Sequence, residues 1–130
     1  MKETYLHFQQ GEHHYAMENN NILRILPATD LWELPIKEPF IKGIVLVDEH
    51  LTAIIDTEEI LFQQPTNSAA YYIIVEAQKE YLGLCAEHIY GTIAIKEQAW
   101  CLEENGSLPF SCNIHDQKIY HLQLEDLDRR

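Results

Sequence analysis

Four times along this chain a run of β-branched and aromatic residues stops at a short polar turn and starts again. Residues 5–8 lead through Gln9-Gln10-Gly11-Glu12 to residues 14–17, and residues 41–47 lead through Asp48-Glu49-His50 to 51–55. Residues 71–75 lead through Ala77-Gln78-Lys79-Glu80 to 81–85, and residues 110–114 through His115-Asp116-Gln117-Lys118 to 119–124. Each unit reads as a β-hairpin, because such side chains fit a pleated surface and the polar turn reverses the chain. Hairpins at this spacing in 130 residues predict a mainly β protein of small closed or sandwiched sheets. The runs at 41–47 and 71–75 do not alternate, so both of their faces should be covered. Residues 119–124 do alternate, with Ile119, His121 and Gln123 on one side and Tyr120, Leu122 and Leu124 on the other, as in a half-exposed strand.

Helical signals are short. Asn19-Asn20-Asn21 offers N-caps for a helix over residues 22–26 that Pro27 stops, and acids at the start of 56–61 favour a second helix. Neither is long enough to stand without packing. Residues 62–70 and 103–109 read as loops, and the first is placed to join two halves of one domain spanning 1–130. Each half would hold two hairpins and one short helix, although no residue-level repeat links them.

Charge narrows the partners. A net charge of −12, with no cluster of Lys or Arg, disfavours nucleic acid and anionic lipid and leaves proteins or small molecules. No apolar run has the length of a signal peptide or approaches the roughly 18 residues of a membrane span. Cys85, Cys101 and Cys112 are odd in number and lack a C-x-x-C spacing, so they read as reduced thiols in a cytoplasmic protein with no membrane insertion.

Catalytic patterns are weak. Glu12-His13-His14 is the densest histidine cluster, but neighbours on a strand point to opposite faces and cannot share an ion without a bulge, so no metal site is expected. His115-Asp116 sits in a predicted turn. His88 is the best-placed partner for a cysteine nucleophile, and no spacing brings it to one. The five glycines are isolated, so no phosphate loop forms. Glu58-Glu59 and Glu103-Glu104 read as solvated faces. No catalytic residue and no cofactor is expected.

A set of ordered motifs resembles the CheW family of chemotaxis coupling proteins. It comprises Glu12-His13-His14-Tyr15-Ala16, Asn21-Ile22-Leu23-Arg24-Ile25, Leu34-Pro35 and Pro39-Phe40-Ile41-Lys42-Gly43-Ile44-Val45. It continues with Leu51-Thr52-Ala53-Ile54-Ile55-Asp56, Tyr81-Leu82-Gly83-Leu84-Cys85-Ala86-Glu87 and the closing run from Ile119 to Leu127. The resemblance implies two small five-stranded, SH3-like β-barrels packed on a shared apolar core. It also implies a non-catalytic adaptor in a chemotaxis-like or pilus-motility pathway. Such an adaptor joins the signalling tip of a methyl-accepting chemoreceptor to the regulatory domain of a CheA-type histidine kinase. A divergent relative that has lost one partner and serves another signalling system is the alternative.

The departures from the pattern concentrate in one turn. Where relatives write N-L-R-G, this chain has Leu46-Val47-Asp48-Glu49, so Asp48 replaces an arginine and Glu49 a glycine. The acid that relatives carry in the short helix falls on Arg24. The two charges are either an ion pair of reversed polarity or unrelated surface groups. Glu49 implies either a changed turn backbone or one with no need of positive φ. By resemblance the receptor-facing groove involves Ile22, Arg24, Ile25, Gly43, Asp48, Gly83 and Thr92. Gly43 and Gly83 also lie inside strand patterns, where close approach of another backbone or tight packing excludes a side chain. The kinase-facing surface is expected around Tyr81, Tyr90 and Ile93.

Overall fold

The turns of the hairpins set the fold. The computed structural model describes residues 2–33, 38–104 and 106–127; Leu34-Pro35 of the resemblance lies outside the described residues. All four expected hairpins form, each closed by two residues. Strands β1 (Lys2–Gln10) and β2 (His13–Glu18) turn at Gly11-Glu12, and β4 (Ile41–Val47) and β5 (His50–Ile55) at Asp48-Glu49. Strands β6 (Tyr71–Ala77) and β7 (Glu80–Ala86) turn at Gln78-Lys79, and β10 (Phe110–Ile114) and β11 (Gln117–His121) at His115-Asp116. In the last three turns both central residues have positive φ, from 47° to 69°, without a glycine. That backbone matches the right-handed twist of the flanking strands, at a steric cost to each side chain. Glu49, with φ of 69°, therefore keeps the conformation that a glycine would adopt freely, and the turn does need positive φ.

The helix expected over 22–26 is instead strand β3 (Ile22–Pro27), preceded by a single 3-10 turn at Asn19–Asn21. Fewer than two turns of helix cannot outcompete a paired edge, and β3 satisfies its backbone against β6 from Ile22↔Val75 to Pro27↔Tyr71. The second helix, α1 (Thr57–Phe62), forms as expected, capped by the Asp56 carboxylate accepting from the Glu58 amide at 3.1 Å. A nine-residue strand, β8 (His88–Lys96), and a two-residue strand, β9 (Cys101–Leu102), complete the set.

These strands build two sheets of the same design. One has six strands in the order β8-β1-β2-β11-β10-β9, the other five in the order β3-β6-β7-β5-β4. In each, two hairpins are joined by one parallel pair, β2 with β11 and β5 with β7; the five-stranded sheet adds β3 on one flank, and the six-stranded sheet adds β8 on one flank and the short β9 on the other. The chain crosses between sheets after Glu18 and again between Ala86 and His88. Residues 63–70 only connect α1 to β6, so the expected change-over there is corrected, as is the sequential division into halves.

Three apolar clusters explain why both sheets persist. Leu6, Phe8, Tyr15 and Met17 of the six-stranded sheet meet Ile55, Ile73, Val75 and Leu84 of the five-stranded sheet in a shared core that Leu61, Leu108 and Leu122 complete. On its other side each sheet encloses its own smaller core, Tyr5, Ala16, Ile95, Cys112 and Ile119 in one and Val47, Ile54, Tyr72, Ile74 and Cys85 in the other. The mainly β architecture on a shared core is therefore as expected. Two burial expectations change. Strand β11 is covered on both sides, since Ile119, His121 and Leu122 are all buried, whereas β4 is an edge strand whose Leu46 is exposed.

Candidate protein-interaction surface

Edges and hairpin tips carry the exposed chemistry. The five-stranded sheet ends in β3 on one side and β4 on the other, and the two edges turn toward each other. Downstream of β3, Trp32 exchanges two backbone hydrogen bonds with Ile44 of β4, both at 2.9 Å. Beside that link, the Arg24 guanidinium on β3 reaches the Asp48 carboxylate at the β4–β5 tip at 2.9 Å. Arg24 and Asp48 are thus an ion pair and not unrelated surface groups. Both side chains are about half exposed, 49% and 48%, so the pair contributes about 0–1 kcal/mol to stability.

Exposed apolar side chains lie along the strands that carry the pair. Leu23 and Ile25 on β3 are exposed, and so are Leu46 and Leu51, which sit opposite each other one pair behind Val47 and His50 at the turn, and Trp32. Ile22 is half-buried against the shared core. His50, next to the turn, stacks on Tyr81 of β7 with ring centroids 4.0 Å apart. Tyr81 therefore lies with the Asp48 hairpin, apart from Tyr90 and Ile93, which stand on β8 in the other sheet. Sequence reasoning missed Trp32, Leu46 and Leu51; the two leucines bracketing a charged turn were the available signal.

Gly43 and Gly83 belong beneath this surface and are buried. A Cβ on Gly43 would lie 2.8 Å from the Trp32 carbonyl oxygen and 2.7 Å from the Leu31 Cβ. A Cβ on Gly83 would lie 2.3 Å from the Ile54 Cδ1. The close neighbour of each is thus this chain itself: backbone at Gly43 and tight side-chain packing at Gly83. Thr92, exposed on β8, is approached by Asn19 Nδ2 at 3.5 Å, which brings it near the start of β3 across the gap between the sheets. Tyr90 is exposed and Ile93 is partly packed into the small core of the six-stranded sheet.

A buried polar network holds the β4–β5 hairpin and α1 against the N-terminal hairpin. Asp56, fully buried, accepts from the Thr66 amide at 2.7 Å and the Thr66 hydroxyl at 2.9 Å, and Lys42 lies 3.7 Å away. Glu58 is not solvated as expected; it is 1% exposed, accepts from the Tyr15 hydroxyl and pairs with His13 Nδ1 at 2.5 Å. Burial raises the Glu58 carboxyl above the usual carboxylate range, opposed by Tyr15 and His13. His13 and His14 do point to opposite faces, the first to Glu58 and the second to His7 on β1. Burial pushes the Cys85 thiol up to about 12, which keeps it protonated and poorly nucleophilic. His88 is exposed on β8. Among the described residues no group of three or more His, Cys, Asp or Glu is arranged to hold a metal ion.

The CheW-like domain family matches residues 4–102, most of the strand framework just described. The chain belongs to the CheW-like family. Among solved structures it is similar to the scaffolding protein TtCheW from Thermoanaerobacter tengcongensis, with a TM-score of 0.85 and 17% identity, covering 95% of this chain and 86% of that one. At that identity the likeness concerns the fold. No curated protein matches the sequence. No helix among the described residues is long and apolar enough to cross a membrane.

Proposed function

We propose that this CheW-like chain is a non-catalytic cytoplasmic adaptor that couples a chemoreceptor signalling tip to the regulatory domain of a CheA-type histidine kinase, in a chemotaxis-like or pilus-motility pathway. The receptor-facing groove in this reading is built by Ile22, Arg24, Ile25, Asp48 and Thr92, with Gly43 and Gly83 shaping it from below. The kinase-facing surface is β8, through Tyr90 and Ile93; Tyr81, read from the sequence with that surface, instead borders the receptor side through His50. One observation carries the reading most: the exposed Arg24–Asp48 pair set among exposed leucines, an arrangement that adds little to stability and much to partner choice. Family membership and the TtCheW-like fold support it.

A second reading is favoured by the same pair. Reversed polarity presents the opposite order of charges to a partner, which disfavours a receptor shaped for the usual order and suits a partner of another signalling system. Titration calorimetry of the purified chain against a kinase regulatory domain and a receptor-tip fragment from the same organism separates the two. Binding to both supports the coupling adaptor. Binding to one of them alone supports the divergent relative, and binding to neither overturns both.

A further inference from the structure

Outside the surface just described, the six-stranded sheet gathers rings from three strands. His7 on β1 and His14 on β2 are diagonal neighbours, because His7 pairs with Ala16 and Gln9 with His14. Their imidazoles share a hydrogen bond between His7 Nε2 and His14 Nδ1 at 2.9 Å, in which one nitrogen donates and the other accepts. Tyr90 from β8 stacks on both rings, with centroids 4.5 Å from His7 and 5.4 Å from His14. The strand ladder does not hold Tyr90 there. Between β1 and β8 the register passes from His7↔Gly91 to Phe8↔Ile89, which leaves Tyr90 as the extra residue of a bulge beside Gly91 at φ 110°. Its position therefore rests on the two imidazoles and on Gln9 Oε1, which accepts from its hydroxyl at 2.6 Å. Tyr90 is 53% exposed, so its position shapes the surface of β8.

We infer that the His7–His14 pair is a proton-sensitive support for Tyr90, which gives way when both imidazoles are protonated and so makes the β8 surface depend on pH. The consequence for a partner rests on the reading of β8 as the kinase-facing surface. The shared hydrogen bond sets the logic. It needs one nitrogen with a free lone pair, so it survives a first proton as a cationic donor facing a neutral acceptor. A second proton removes the acceptor and sets two cations against each other at the same contact. The rings must then part, and the stack on Tyr90 is lost with them. Burial lowers the proton affinity of both imidazoles, and a neighbouring ring lowers each further, His14 acting on His7 and His88 of β8 on His14. Strand β11 presents apolar Ile119 opposite His14, and no carboxylate among the described residues offsets the charge on either ring. The first proton thus enters below the ordinary histidine value of about 6.5, and the second lower still. Sequence spacing hides the pair, because it exists only in the β1–β2 register.

Proton magnetic resonance of the full chain between about pH 7.5 and 5 tests the support directly. The imidazole resonances of His7 and His14 are expected to titrate in two separate steps, and the Tyr90 ring resonances to move with the lower one. In His14→Gln, and equally in His7→Gln, the amide can donate or accept, so the lower step and its Tyr90 displacement should vanish. A single ordinary step at both histidines, or Tyr90 resonances that ignore the lower step, overturns the support. Calorimetry with the kinase regulatory domain then reads the surface. Across the same pH range the parent should lose at least about threefold more affinity than His14→Gln, the equivalent of one hydrogen bond. If the lower step moves Tyr90 while both chains show the same pH dependence of kinase binding, the support stands and the kinase-facing role of β8 is overturned.

Discussion

The two sheets share a strand plan and differ in what they display. The five-stranded sheet turns its edges toward each other and exposes leucines, Trp32 and an ion pair around one hairpin tip. The six-stranded sheet instead fills its flank with stacked rings, His7, His14 and Tyr90, and keeps Trp100 against Tyr5 and His121. Duplicated topology with divergent surfaces is the arrangement an adaptor needs, since one framework then carries two independent faces. The shared core decides whether the framework is one unit or two.

The largest effect is expected at that core. Phe8 is fully buried between the sheets, and Phe8→Ala should destabilise the chain by about 3–5 kcal/mol. Trp32 reports on the five-stranded sheet and Trp100 on the six-stranded one. Single-tryptophan variants should show coincident denaturation midpoints, both lowered by Phe8→Ala; separate midpoints would break the description of a common core. Next in size, Gly43→Ala should cost about 1–3 kcal/mol, because the added methyl meets the Trp32 carbonyl and the Leu31 Cβ. The Trp32 emission should change with it and the Trp100 emission should not.

Glu49→Gly is expected to act in the opposite direction. Relief of the left-handed backbone, about 1–2 kcal/mol, exceeds the added freedom of the unfolded chain, about 0.4–1 kcal/mol, so the melting temperature should rise by a few degrees. A fall would mean that the Asp48-Glu49 turn does not hold positive φ in solution.

A smaller effect depends on pH. His121 is buried between Trp100 and Tyr5, its Nε2 has no hydrogen-bond partner among the described residues, and burial holds its proton affinity below the usual histidine value, against the pull of Asp126 and Glu3. As pH falls through about 6.5 the unfolded chain takes up this proton before the folded one, so stability falls with pH. His121→Gln should flatten that slope in melting curves between about pH 7.5 and 5.5.

Hairpins were legible in the sequence because they are local: a polar turn between two β-rich runs needs no knowledge of the rest of the chain. Strand β3 was not, since Asn19-Asn20-Asn21 mimics a helix cap and only pairing with the distant β6 overrides it. Sheet membership was hidden for the same reason, resting on the parallel contacts of Ile119 with His14 and of Ala53 with Leu82. Glu58 looked solvated beside Glu59 because its partners, His13 and Tyr15, come from the N-terminal hairpin. The Arg24–Asp48 pair was legible only through the resemblance, since both positions depart from the charges it leads one to expect.

That pair offers the most direct test of the adaptor account. Calorimetric affinities for a receptor-tip fragment and a kinase regulatory domain should be measured for the parent, Arg24→Glu, Asp48→Arg and the double variant. The account predicts that each single change weakens receptor binding and that the double change recovers part of the loss or shifts preference among receptors. Kinase binding should stay constant across all four. Additive effects on the receptor, or equal losses toward both partners, would contradict a separate receptor-facing surface built on this ion pair.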